Sequence, residues 1–169
     1  MNRNQALLRH FLAAIAYRTA KALRDAPAPY EEFQPGHRAR TPRQLVRHMS
    51  GVLSYAIGLL SEPRGVLTDC ATYSAEADRF FDTLRELGDL VRRTANLADT
   101  TAEQLLQGPL ADAMAHAGQL ALLRRLSGSP IPPENFFVAA IDADRLGQDQ
   151  VAARSPDVEW PEAPDGWSR

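Results

Sequence analysis

Four stretches of this 169-residue chain repeat apolar side chains every three or four positions, and proline or glycine interrupts the chain between them. That period gathers the apolar residues on one side of a helix, and a one-sided helix must bury that side against another. Nowhere do apolar and polar residues alternate one by one over a strand's length, and no unit recurs at solenoid spacing. The pattern predicts an all-α fold, a four-helix bundle with a C-terminal segment packed on it. Residues 1–147 are expected to form the bundle, and 148–169 a polar tail that contains proline and tryptophan.

The first helix is expected from about Asn4 to Arg24, with Leu7, Leu8, Phe11, Ala14, Ile15 and Ala22 as its stripe, and Pro27 and Pro29 end it. Thr41-Pro42-Arg43-Gln44 announces the second: a threonine cap, proline in the first turn, and a glutamine that completes a capping box. It runs to about Leu60, with Leu45, Val52, Ala56 and Leu59 on one face, Met49, Leu53 and Leu60 beside them, and His48 between Leu45 and Val52. Ser74 is a candidate cap for a third helix, from Ala75 to about Asn96, carrying Phe80, Phe81, Leu84, Leu87, Leu90 and Val91. Gly88 inside it costs up to about 1 kcal/mol against alanine. A short helical turn over Thr100 to Leu106 leads to the fourth helix. After Gly128 three prolines force an extended path, and Phe136, Phe137 and Ile141 then require that segment to pack back on the bundle.

With 19 basic against 21 acidic residues, the chain offers no field for nucleic acid or an anionic membrane. Its single cysteine, Cys70, excludes an internal disulfide, and neither a signal-peptide pattern nor a membrane-spanning run is evident. A soluble cytoplasmic protein is expected.

The fourth helix, GPLADAMAHAGQLALLRRLSG from Gly108 to Gly128, carries the most chemistry. Gly108-Pro109 opens it and Gly128 closes it as a C′ glycine. Asp112 and His116, four apart, leave one face, and Leu120 and Leu123 continue that face inward. An ionisable pair on a buried face requires a partner. One candidate is a divalent metal ion, with His48 on a neighbouring helix as third ligand. Zinc, nickel, iron(II) and manganese all accept two histidines and a carboxylate. On spacing alone, a buried Asp112–His116 hydrogen bond beside an unrelated core histidine is the more economical account.

Three stretches bear on that choice: TPRQLVRHMSGVLSYA (Thr41 to Ala56), DAMAHAGQLALLRRLSG (Asp112 to Gly128) and GSPIPPENFF (Gly128 to Phe137). Together they resemble the DinB-like (YfiT-type) family of metal-dependent four-helix bundles, over roughly Asn4 to Ile141. In that family a metal-binding histidine on the second helix falls at His48. The last bundle helix reads His-x-x-x-His followed by a Gly-Gln step, which His116-Ala117-Gly118-Gln119 matches at its second histidine. Asp112 stands where the family more often has the other histidine. The resemblance implies one divalent ion held by His48, Asp112 and His116. It also implies thiol-transferase or hydrolase chemistry with a low-molecular-weight thiol or other small molecule as partner, and leaves a homodimer open. A bundle that has lost metal chemistry and serves as a binding or dimerisation module is the alternative, favoured by Asp112 in place of histidine.

Smaller candidates remain. Tyr17 is a weak candidate proton donor near that site, against a boundary aromatic with a wet hydroxyl. His10 has a position from which to approach the site, or sits at the core edge. Gln119 either bonds between helices or is solvated. Cys70 reads as incidental and His37 as a solvated turn residue. Trp160 or Trp167 is a candidate for the site entrance.

Overall fold

The computed structural model describes residues 2–94 and 100–154. Its long helices are α1 (Arg3–Leu23), α2 (Pro42–Leu60), α3 (Tyr73–Arg93) and α5 (Ala111–Leu126), with a single turn, α4 (Ala102–Leu105), before the last. α1 and α2 each pack on both α3 and α5, which closes a ring around one core. The chain is mostly helical, with no strand among the described residues, as expected for an all-α protein. No described helix is long and apolar enough to cross a membrane.

The helix ends follow local chemistry. Thr41 Oγ1 accepts from Gln44 N–H at 3.2 Å while Gln44 Oε1 accepts from Thr41 N–H at 3.1 Å, the reciprocal box that the sequence announces. Asn2 and Gln5 form a second such box at α1. Gln5 also donates to Val91 O at 3.0 Å and Thr94 O at 2.9 Å, so one side chain serves the start of α1 and the end of α3. Gly128 takes φ +80°; its N–H donates to Arg125 O and that of Ser129 to Arg124 O, satisfying the last carbonyls of α5. Thr72, not Ser74, caps α3, its hydroxyl accepting from Ala75 N–H at 3.1 Å. The predicted end of that helix at Asn96 lies outside the described residues.

Two faces differ in part from expectation. On α1 the expected Leu8, Ile15 and Ala22 are buried, but Leu7 is 52% exposed and Leu12, Ala16, Thr19 and Ala20 complete the buried face. On α2 the expected Leu45, Met49, Leu53, Ala56 and Leu60 are buried, joined by Val46, Ser50 and Ile57, while His48, Val52 and Leu59 stand at the margin. The small serine lets this happen: Ser50 Oγ donates to Val46 O at 3.1 Å, so a polar residue occupies the core with its group satisfied.

Gly108-Pro109 does not simply open a new helix. α4 enters a wide turn, Leu106–Leu110, in which Gly108 alone leaves helical torsions (φ −98°, ψ −106°), and α5 continues beyond it. Proline lacks the N–H for the ladder at this point, which accounts for the kink. The turn packs on α2 and sets the direction in which α5 leaves, two residues before Asp112.

Beyond Gly128 the chain runs back across the bundle as a strap. Glu134 is buried between Tyr17 and Lys21, Arg9 pairs with Asp144, and Leu146 is buried over Gly88. Phe136 is half-buried with the Arg18 guanidinium 3.7 Å from its ring centre, whereas Phe137 is 95% exposed, against expectation. The docked chain extends past residue 147: Gln150 is buried and its carbonyl accepts from Arg24 at 2.7 Å. Trp160 and Trp167 lie outside the described residues.

Candidate metal centre

α2 and α5 are neighbours in the ring, and His48, Asp112 and His116 meet across them with their ligand atoms all within 4.8 Å of one another. The Asp112 carboxylate stands between the two imidazoles. Its Oδ1 is 3.2 Å from His116 Nε2 and its Oδ2 3.5 Å from His48 Nε2. The rings meet edge to face, with centres 4.8 Å apart.

The cluster is at the rim of the core rather than inside it. His116 is buried, but the side chains of His48 and Asp112 are 33% and 46% exposed. The expected inward face of α5 is therefore correct for His116, Leu120 and Leu123, and not for Asp112. Solvent at the carboxylate removes the desolvation cost that would alone demand a partner, and leaves room for a further ligand beside the three side chains.

What admits a cation is the orientation of His116. Its Nδ1 is 2.9 Å from Gln119 Oε1, a contact made by the tautomer in which the Nδ1–H donates. In the neutral ring this leaves a lone pair on Nε2, aimed at a carboxylate oxygen. In that tautomer two acceptors meet, and a proton or a metal ion between them reconciles the contact; with the Gln119 amide turned about, Nε2–H donates to the carboxylate directly. Gln119 thus bonds within its own helix, one turn on from His116, and orients the ring.

The donor set fits a divalent ion. Ligand distances of 2.0–2.2 Å place two neighbouring ligands about 3.3 Å apart, so the two carboxylate–imidazole spacings already match. The imidazole pair must close further, which the half-exposed His48 ring is free to do. Burial first, then the Arg40 and His116 charges, holds the His48 pKa below its ordinary value, against the opposing pull of Asp112. At neutral pH His48 is accordingly the free base, the form that can bind a metal.

The remaining candidates fall elsewhere. Tyr17 is buried, not wet, and its hydroxyl donates to Glu134 Oε1 at 2.6 Å. Burial and the Glu134 carboxylate raise its pKa, so it belongs to the strap and not to the His–Asp–His cluster. His10 and His37 are exposed. Cys70 is half-buried in the connector, and burial raises its thiol pKa, the reverse of an activated nucleophile.

A second cavity, of about 440 Å³, lies between the C-terminal ends of α1 and α5 and the strap, lined by Lys21, Arg24, Arg124, Ile131 and Val151 among others. Its cations are committed. Lys21 is on Glu134, Arg24 on Gln150 O, and Arg124 donates to Ala22 O, Arg24 O and Ser129 O. Arg124, which in sequence is half of an unremarkable basic pair, caps the end of α1. The cavity reads as a structural joint.

The chain matches no protein-family model, no curated protein and no solved structure.

Proposed function

We propose that the protein binds one divalent metal ion through His48, Asp112 and His116 and is a metal-dependent thiol transferase or hydrolase of the DinB-like kind. The observation that carries this reading is the meeting of His48, Asp112 and His116, their ligand atoms all within 4.8 Å of one another, with Gln119 Oε1 2.9 Å from His116 Nδ1. A divalent ion supplies Lewis acidity, which brings a water or thiol into its reactive, deprotonated range near neutral pH. The chain's own residues present that centre. Gln119 accepts from the tautomer of His116 that leaves Nε2 free, Asp112 contributes one negative charge, and the half-exposed side of the cluster admits a small molecule. Zinc, nickel, iron(II) and manganese all suit this donor set. Elemental analysis of the untagged full-length chain after reconstitution tests the reading. One ion per chain, lost in His48→Ala and in Asp112→Ala, is expected; no uptake of any of the four metals overturns it.

A second reading, a binding or dimerisation module without metal chemistry, is favoured by the outer side of α5. Leu122 and Leu126 there are 51% and 56% exposed, and adjacent apolar surface of this kind commonly marks an interface. In that case the chain sediments as a dimer, Leu122→Glu returns it to a monomer, and metal is absent.

A further inference from the structure

Beside His48 the surface opens into a groove of about 370 Å³, bounded by Arg40, the first turns of α2, and Val66 and Leu67 of the following connector. One wall of this groove is therefore a metal-ligand candidate, and its polar groups define what else it accepts. Arg47 is committed, donating to Leu67 O at 3.2 Å and pairing with Asp69 at 2.5 Å. That pairing holds the connector against α2 and neutralises the Arg47 charge. Gln44 has given its Oε1 to the Thr41 cap, so the end it offers a ligand is its donating amide. Arg40 is exposed and has no carboxylate partner among the described residues.

Charge and shape then agree. Asp112 contributes the one negative charge of the candidate triad, so a divalent ion there would leave a net positive centre beside the groove, which His48 joins to the triad. Arg40 places a second positive charge on the same groove that His48 lines. A guanidinium offers a planar fork that matches a carboxylate, and it keeps its charge at any physiological pH.

On the basis of the metal-dependent reading above, we infer that Arg40, with the Gln44 amide, forms an anion-recognition end to this groove. The small-molecule substrate then carries a carboxylate at one end and its reacting thiol or oxygen at the other. The carboxylate sits on Arg40 while the opposite end reaches His48, Asp112 and His116. Binding energy taken at the carboxylate orients the reacting end, which is the use of a positioning group remote from the chemistry.

The test uses two thiols that differ only in charge, mercaptobutyrate and mercaptobutanol, each with its thiol on the terminal carbon. The full-length protein is loaded with zinc, its metal content is measured, and each thiol is titrated calorimetrically. The expected result is about fivefold tighter binding of mercaptobutyrate, or about 1 kcal/mol at 1.4 kcal/mol per tenfold. In Arg40→Gln the two thiols bind alike while zinc content is unchanged. Equal affinities in the zinc-loaded wild type overturn the anion site alone. A preference that survives in Arg40→Gln does the same, because it locates the carboxylate on the metal rather than on Arg40. A wild type that takes up no zinc overturns the metal reading, and this inference falls with it.

Discussion

His116 Nδ1 and Gln119 Oε1 are 2.9 Å apart, one turn along the same helix. The bond is short and local, and its effect is felt at the other side of the ring, where Nε2 faces Asp112. Gln119→Leu removes the acceptor without disturbing the helix, because the residue is exposed. Metal affinity is expected to fall about 10- to 100-fold, the usual cost of losing a group that orients a ligand. Competition against a chromophoric chelator measures it, and a helical circular-dichroism signal equal to wild type confirms that the fold is intact. An unchanged affinity means that Gln119 is merely a solvated neighbour.

On the metal-binding reading, Asp112 bears on which metal the cluster prefers. Replacing it by histidine gives a third imidazole, a set that favours zinc over harder, oxygen-preferring manganese(II). Asp112→His is expected to retain stoichiometric zinc and lose most manganese(II) uptake, read by elemental analysis after equilibration with equal concentrations of both. If the triad binds zinc, saturating zinc is also expected to raise the thermal midpoint by mass action, a 100-fold excess over the dissociation constant adding about 2.7 kcal/mol of stability. His48→Ala abolishes that rise. A midpoint indifferent to zinc in the wild type counts against the triad as a metal centre.

The sequence displays the helices better than it displays their faces. Caps are local, so Thr41 with Gln44 and the glycine at 128 can be read without knowing what packs where. The inward side of α2 is another matter. Ser50 and Ser54 are buried and look polar, while Val52 and Leu59 look apolar and stand at the margin, so periodicity misses part of the face. His48 consequently sits at the rim. The pairing of Asp112 with His116 is visible as a spacing, but its meeting with His48 depends on α2 packing against α5. Glu134 and Tyr17, 117 positions apart, give no sequence signal at all. That Arg40, unlike Arg47, has no carboxylate partner among the described residues is visible only once Arg47 is seen to be engaged by Asp69.

The most deeply buried anchor of the strap is the Glu134 carboxylate. Glu134 has no exposed side-chain surface, accepting from Tyr17 at 2.6 Å and from Lys21 at 2.8 Å. Glu134→Ala leaves a buried hydroxyl without an acceptor, at a cost of about 1–3 kcal/mol, whereas Lys21 is near enough to water to limit its own penalty. Glu134→Gln keeps an acceptor for Tyr17 and is expected to cost less than half as much. Urea denaturation gives the two values, and faster amide exchange across residues 134–150 in Glu134→Ala locates the loss. Equal stability of the alanine variant and wild type refutes the anchoring role.

Gly88 is explained by Leu146. A Cβ on residue 88 would collide with the Leu146 Cδ1 methyl, which is buried against this point of α3. Helix propensity favours alanine here by up to about 1 kcal/mol, so the sequence alone predicts that Gly88→Ala stabilises. The packing predicts the reverse, because overfilling a close-packed contact costs about 1–3 kcal/mol. The two effects separate in a double-mutant cycle. Gly88→Ala alone is expected to destabilise, Leu146→Ala alone to destabilise by loss of burial, and the pair to be more stable than the sum of the two. Additive values in urea denaturation mean that Leu146 turns aside without cost, and that Gly88 is a plain helix weakness.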